Sequence, residues 1–280
     1  MNSHLGKALS GVKVVSLALN APGPVAAARL AALGAEVTKV EPPAGDPLKT
    51  AAPEWYESLC RKQTVAILNL KDETGRRRLE ELLAGADLLL ASFRPSALRR
   101  LQLDWESLHA RHPRLCFAGI IGYPPPLEER SGHDLTYLAS AGLLAPPQLP
   151  LSLFVDLAGA ERCVSKALAL LFSFSRTKQA GCEFVSLYEC ACELAAPRNA
   201  GLTRQGGTLG GGYALYSMYR ASDGWIAVAA LEPHFARRLL SELGLSATDR
   251  TSLEETFRRR SAADWEQWAI ERDLPLAAVR

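Results

Sequence analysis

From Val12 to Ile121, short aliphatic and β-branched runs alternate with stretches whose apolar residues recur at helical spacing. Val12-Lys13-Val14-Val15-Ser16-Leu17 predicts a strand. Ala21-Pro22-Gly23-Pro24 interrupts the pattern, and the alanine-rich residues 25–33 predict a helix stopped by Gly34. Glu36-Val37-Thr38-Lys39-Val40-Glu41 predicts a second strand, closed by Pro42-Pro43. Strand, helix and strand in this order form a βαβ unit, which implies a parallel sheet. The alternation continues with strands at 65–70, 87–92 and 115–121 and helices at 74–84 and 96–101. An open, doubly wound, Rossmann-like α/β sheet is the expected architecture.

Beyond Pro150 the period changes. A long apolar helix over 157–174 is followed by a strand-like 182–187 and a helical 188–196. Residues 204–212 are rich in glycine and read as a linker. After them, 213–220 and 225–230 flank Ser222-Asp223-Gly224 as a β-hairpin, and amphipathic helices follow at 234–243 and 262–271. The expected organisation is a large domain over 1–203, the linker 204–212, and a small α+β domain over 213–280.

Composition sharpens this picture mainly by exclusion. With 48% hydrophobic and 22% charged residues, the chain has ample apolar surface for a core. The longest greasy stretch, residues 164–174, is too short to span a bilayer. A net charge of +2 leaves no electrostatic footprint for nucleic acid or a membrane surface. The arginine clusters at 76–78, 99–100 and 258–260 read as solvated helix faces. Six cysteines lack any metal-binding or redox spacing, and neither a secretory signal nor a peroxisomal address is evident, so a cytoplasmic protein with reduced thiols is expected.

Four places carry candidate chemistry. Gly132-His133-Asp134 precedes an apolar helix at 135–144; it reads either as a turn and cap or as a base oriented by a carboxylate. Val155-Asp156-Leu157 puts a carboxylate at a helix mouth, as a cap or beside amides that stabilise an oxyanion. Leu231-Glu232-Pro233 follows a strand and reads as a cap or as a carboxylate serving a histidine from another segment. Phe93-Arg94-Pro95 lies at the carboxyl end of a strand, where open α/β sheets bind ligands. The glycine fingerprint of a dinucleotide site is missing after the first strand, and its prolines lack the N–H groups such a loop supplies.

Several blocks together resemble the family III CoA-transferases, including the racemase branch of that class. They are residues 34–43, Asn69-Leu70-Lys71, Phe93-Arg94-Pro95, Gly132-His133-Asp134-Leu135-Thr136-Tyr137, Leu209-Gly210-Gly211-Gly212-Tyr213, and the run from Ala230 to Phe235. The resemblance implies a Rossmann-like CoA-binding fold in an interlocked homodimer, and an acyl-CoA thioester as substrate. It implies His133 and Asp156 as the two bases of α-carbon inversion through an enolate, with Asp134 and Glu232 as their supporting carboxylates. Arg94, Lys39, Arg61 and Lys62 would contact CoA. Neither a metal nor a cofactor beyond CoA is implied, and the setting would be lipid metabolism.

Other members instead use the aspartate matched by Asp156 as a nucleophile in CoA transfer, and that reading stays open. A third reading is a shortened, weakly active acyl-CoA-binding relative. It draws on two departures: Ala158 and Ala160 stand where relatives have glycines, which predicts a crowded helix mouth, and the chain ends near Val279, before the family's return segment.

Overall fold

The computed structural model describes residues 4–280. The chain forms two compact units, one ending at Leu194 and one running Ala195–Arg280. The first is a six-stranded sheet in the order β3-β2-β1-β4-β5-β6. Its strands are β1 (Lys13–Ser16), β2 (Glu36–Glu41), β3 (Gln63–Ile67), β4 (Leu88–Ala91), β5 (Cys116–Ile121) and β6 (Cys182–Ser186), all parallel. The connecting helices are α1 (Pro22–Ala32), α2 (Pro47–Ala51), α3 (Pro53–Cys60), α4 (Glu73–Ala84), α5 (Pro95–Arg100), α6 (Trp105–Arg111), α7 (Asp134–Ser140), α8 (Phe154–Thr177) and α9 (Leu187–Leu194).

Strand side chains alternate between two apolar layers, as a period of two requires. Val14, Leu88, Leu90 and Ala118 pack with Val25, Leu30 and Val164 of α1 and α8. Val15, Leu89 and Phe117 pack on the other face with Leu79, Leu83, Leu98 and Leu108 of α4, α5 and α6. Helices covering both faces explain why Leu88-Leu89-Leu90-Ala91 is buried at every position. The doubly wound expectation is met. β1 borders β2 on one side and β4 on the other, so the chain winds outward in opposite directions from that pair. Crevices open at the carboxyl ends of such strands.

Helix starts differ most from the sequence reading. α1 begins at Pro22, because prolines fit a first turn whose N–H groups have no partner anyway. α2 and α3 were not foreseen; each starts at a proline, and the Asp46 carboxylate accepts the Leu48 N–H to cap α2. α8 begins at Phe154 instead of residue 157.

The second unit holds an antiparallel sheet of β7 (Tyr216–Arg220), β8 (Trp225–Ala229) and β9 (Leu276–Ala278). The expected hairpin is β7–β8; β9 is a third strand that the sequence reading lacked. Short α10 (Ala196–Asn199) precedes it, and α11 (Pro233–Leu243), α12 (Arg250–Phe257) and α13 (Ala262–Ile270) complete the unit. Tyr219, Ile226, Val228, Leu253, Phe257 and Trp265 are in its core. Residues 204–212 are built into this unit by hydrogen bonds: Leu209 N–H to Leu202 O at 2.9 Å, and Arg250 Nη2 to Gly211 O at 2.7 Å. Gly210 is needed there, since an added Cβ would lie 1.8 Å from the Arg204 carbonyl oxygen. Among the described residues, no helix is long and apolar enough to cross a membrane, and no side-chain cluster has the composition of a metal site.

Candidate active site

A cavity of about 260 Å³ opens at the carboxyl ends of β1, β4 and β5, lined in part by Asn20, Arg94, Glu128, His133, Tyr137 and Asp156. Arg94 follows β4 at the N-cap position of α5 and is exposed. His133 occupies the N-cap position of α7. Its N–H donates to Thr136 Oγ1 at 2.9 Å and its carbonyl accepts from that hydroxyl at 2.8 Å, which fixes the backbone. The residue is exposed and its imidazole makes no ion pair among the described residues, so the ring is accessible to a ligand.

Asp134 begins α7 and is 5% exposed. Its Oδ1 accepts the Val155 N–H at 2.7 Å and the Asp156 N–H at 3.0 Å. Leu153, the N-cap residue of α8, has no side chain able to satisfy these amides, so Asp134 caps α8 from another helix. That bridge brings the α7 start, with His133, against the α8 start, with Asp156. Burial pushes the Asp156 carboxyl from its ordinary 3.8 up to about 7, and the neighbouring Asp134 charge adds to the shift. Tyr137 is buried alongside and is pushed up to about 12, chiefly by burial, so it remains a neutral phenol at physiological pH. Gly132 makes room for it, since an added Cβ would come within 2.5 Å of the Tyr137 ring. Glu128 keeps Oε2 buried without a hydrogen-bond partner.

The structure thus brings His133, Asp156 and Arg94 to one cavity, and it corrects three expectations, those for Asp134, Lys39 and the helix mouth. The Asp134 carboxylate supports the backbone of Asp156 rather than the imidazole of His133. Lys39 is fully buried and paired with Glu41 and Asp46, so no ligand phosphate reaches it. Arg61 and Lys62 are exposed in the turn between α3 and β3 and do not line this cavity. The crowded helix mouth does not exist. Because α8 starts early, the Leu157 N–H already donates to Leu153 O at 3.0 Å, and Ala160 is buried in the core. Glu232 belongs to the second unit, exposed at the N-cap position of α11, where its side chain caps nothing.

A larger cavity of about 530 Å³ adjoins the first, with Leu19 and Phe93 lining both. Its wall includes Leu17, Leu68 and Leu70, and Lys71 and Arg100 contribute cations. Sequence reasoning misses these cations: Lys71 enters only as part of a family motif, and Arg100 only as part of a solvated helix face. The available signal was position, since Lys71 follows β3 and Arg100 lies in α5 after β4, both at the carboxyl edge that singled out Arg94.

The family model for CoA-transferase family III matches residues 9–280. The chain belongs to CoA-transferase family III. It is 31% identical to the alpha-methylacyl-CoA racemase of Homo sapiens over 282 residues, covering 92% of this chain and 69% of that one. A cinnamoyl-CoA:phenyllactate CoA-transferase of Clostridium sporogenes is 40% identical over 146 residues, covering 48% of this family III chain and 35% of its own. The fold matches the crystal structure of a hypothetical protein from Mycobacterium tuberculosis with a TM-score of 0.84 at 25% identity, over 98% of this chain and 84% of that one. Racemases and transferases therefore both stand among its relatives.

Proposed function

We propose that the protein is an acyl-CoA racemase or epimerase, an isomerase that inverts the α-carbon of a 2-methyl-branched acyl-CoA. The observation that carries this reading is the placement of Asp156, its carboxyl pushed up to about 7, in one cavity with the exposed imidazole of His133. A carboxyl that gains and loses its proton near neutrality serves as base in one direction and acid in the other. Ionised Asp156 takes the α-proton from one face, and the C–H electron pair moves into the planar enolate. Protonated His133 returns a proton to the opposite face. The reverse reaction starts from neutral Asp156 and neutral His133.

The larger cavity supplies a seat for the rest of the thioester. Lys71 and Arg100, with Arg94 beside them, offer cations to the phosphates of CoA, while Leu17, Leu68, Leu70 and Phe93 offer apolar surface. The wall shared through Leu19 and Phe93 lets one extended ligand lie across both cavities. An interlocked homodimer, a cytoplasmic location and the lack of any cofactor beyond CoA are parts of the same proposal and rest on the family resemblance.

CoA transfer is the second reading, favoured by the 40% identity to a CoA-transferase over 146 residues. There the Asp156 carboxylate attacks the thioester carbonyl, expels CoA thiolate and forms a mixed anhydride; the thiolate then attacks the aspartyl carbonyl and releases the donor carboxylate. An acceptor carboxylate takes CoA from the aspartyl thioester by the same two steps in reverse, which restores Asp156. Proton NMR of a 2-methylacyl-CoA with the protein in deuterium oxide separates the two. Racemisation replaces the α-proton by deuterium and collapses the α-methyl doublet. His133→Ala and Asp156→Asn should each slow that exchange by about 10²–10⁴. Wild-type protein that moves CoA between carboxylic acids without α-deuteration overturns the racemase reading.

A further inference from the structure

Lys39, Glu41, Asp46 and Tyr56 form a buried polar cluster under the loop of Leu19 and Asn20, which the proton-transfer scheme leaves unused. Lys39 and Glu41 lie two residues apart on β2 and so point to the same side of the sheet. The Lys39 ammonium donates to Glu41 Oε1 and, at 2.8 Å, to Asp46 Oδ2. Tyr56 Oη donates to the same Glu41 oxygen at 2.7 Å. The two Asp46 oxygens divide their work. Oδ2 faces the cation, while Oδ1 accepts the Asn20 N–H at 3.1 Å and the Leu48 N–H at 3.0 Å.

Asn20 needs such a hold. Its φ of 64° is left-handed, a region that asparagine enters more readily than other residues with a Cβ but that still favours glycine, and the residue is exposed, so packing does not impose that conformation. The preceding Leu19 N–H donates to Ser92 Oγ at 3.1 Å, which ties this loop to the one carrying Phe93 and Arg94. Leu19 lines both cavities and Asn20 lines the smaller one. A buried ionic cluster is an expensive way to fill a core, and apolar side chains often stabilise such a site better. What apolar side chains lack is a fixed acceptor for the Asn20 amide.

We infer that Asp46, itself held by Lys39 and Glu41, is a positioning residue that locks the loop of Leu19 and Asn20 as the shared wall over which an acyl-CoA lies. The identity of that ligand rests on the function proposed above; the lock itself does not. Released from Asp46, Asn20 relaxes to negative φ and Leu19 swings into the path between the cavities. His133 and Asp156 stay in place, so the loss falls on ligand affinity and KM, while the pH dependence of turnover keeps its shape.

Hydrogen exchange of the full chain and calorimetric titration with CoA itself test this, on wild type, Asp46→Asn and Asp46→Ala. Asparagine keeps an acceptor oxygen for both amides and drops the charge; alanine removes the acceptor. The wild-type Asn20 amide should be protected although its residue is exposed. Asp46→Ala should exchange it at least about tenfold faster and weaken CoA binding about tenfold, and Asp46→Asn should recover most of both. A folded Asp46→Ala protein with wild-type protection and CoA affinity overturns the inference. Should that variant not fold, the wild-type amide decides: exchange at the unprotected rate overturns the lock, and protection kept in Asp46→Asn supports it. Wild-type protein that fails to bind CoA strikes the proposed function instead, and the exchange measurement still reads the lock.

Discussion

Asp46 and Asp134 are two buried carboxylates that do the same local job in different surroundings. Each gives one oxygen to a pair of backbone amides, Asn20 and Leu48 in one case and Val155 and Asp156 in the other. The surroundings of the remaining charge differ. Asp46 turns its second oxygen to the Lys39 ammonium, whereas Asp134 makes no ion pair among the described residues and has Asp156 beside it. The first region is therefore partly compensated, with one ammonium between two carboxylates, and serves as scaffold. In the second the charge adds to desolvation in keeping a proton on Asp156 up to about pH 7. A carboxylate that fixes backbone becomes a tuner of acidity when its counter-ion is withheld.

Removing the counter-ion from the scaffold breaks the contrast most severely. Lys39→Met keeps length and apolar volume but leaves Glu41 and Asp46 buried side by side without a cation. A loss of about 3–5 kcal/mol of stability is expected, the usual consequence of breaking a buried ionic set from one side. Denaturant unfolding reads it. Lys39→Met combined with Glu41→Gln should recover part of the loss, because one of the two facing charges is gone. A loss below about 1 kcal/mol in the single variant would mean that Lys39 does not hold the two carboxylates in the way its distances indicate.

Little of this contrast was legible in the sequence, although most of the fold was. The strands were readable because β-branched runs bounded by Gly and Pro repeat between helical stretches, and the βαβ order then fixes a parallel sheet. α2 and α3 were missed because a helix of five or eight residues is too short to display an apolar period. The buried state of Lys39 has no local mark. In Glu36–Glu41 the residues sharing a side include Val37, Lys39 and Glu41, and whether that side meets solvent depends on α1 and α3, which arrive from elsewhere in the chain. The direction of Asp134 is equally non-local, since its partners lie 21 and 22 residues later. Sequence adjacency pointed to His133 instead.

The tuned region is sharpened by removing its proton site. Asp156 binds a proton more tightly folded, with a value of about 7, than unfolded, near 3.8. Stability from this group is fully present below about pH 4 and is lost as pH rises through about 7. Asp156→Asn removes that slope. The variant should therefore exceed wild type by about 1–4 kcal/mol at pH 8, where the upper end is the whole shift at 1.36 kcal/mol per unit, and match it near pH 4. Asp134→Asn should flatten the wild-type slope in part, because desolvation, the larger cause, remains. Unfolding curves at pH 4, 6 and 8 give the comparison. An Asp156→Asn protein that gains nothing at pH 8 would show that the carboxyl is better solvated than its surroundings imply.

The smallest effect belongs to the two alanines after Asp156, and here the structure reverses the expectation from sequence. A helix start at Leu157 predicts Ala158 and Ala160 as methyl groups crowding the helix mouth. α8 instead starts at Phe154, which places both alanines beyond its opening residues. The Asp156 N–H is engaged by Asp134 and the Leu157 N–H by Leu153 O, so neither is free for a thioester oxygen. Ala160 faces the core at 0% exposure, packed with the apolar side chains between sheet and helix. Glycine at either position adds backbone freedom to the unfolded chain and removes a packed methyl group without opening any donor. Ala158→Gly with Ala160→Gly should cost about 0.5–1 kcal/mol per site from helix propensity, with more at Ala160 for the lost packing, and leave turnover of the folded enzyme unchanged. Melting temperature and turnover on the same preparation separate the two quantities. A rise in turnover would restore the oxyanion role of this helix end and would require α8 to open by a turn when substrate binds.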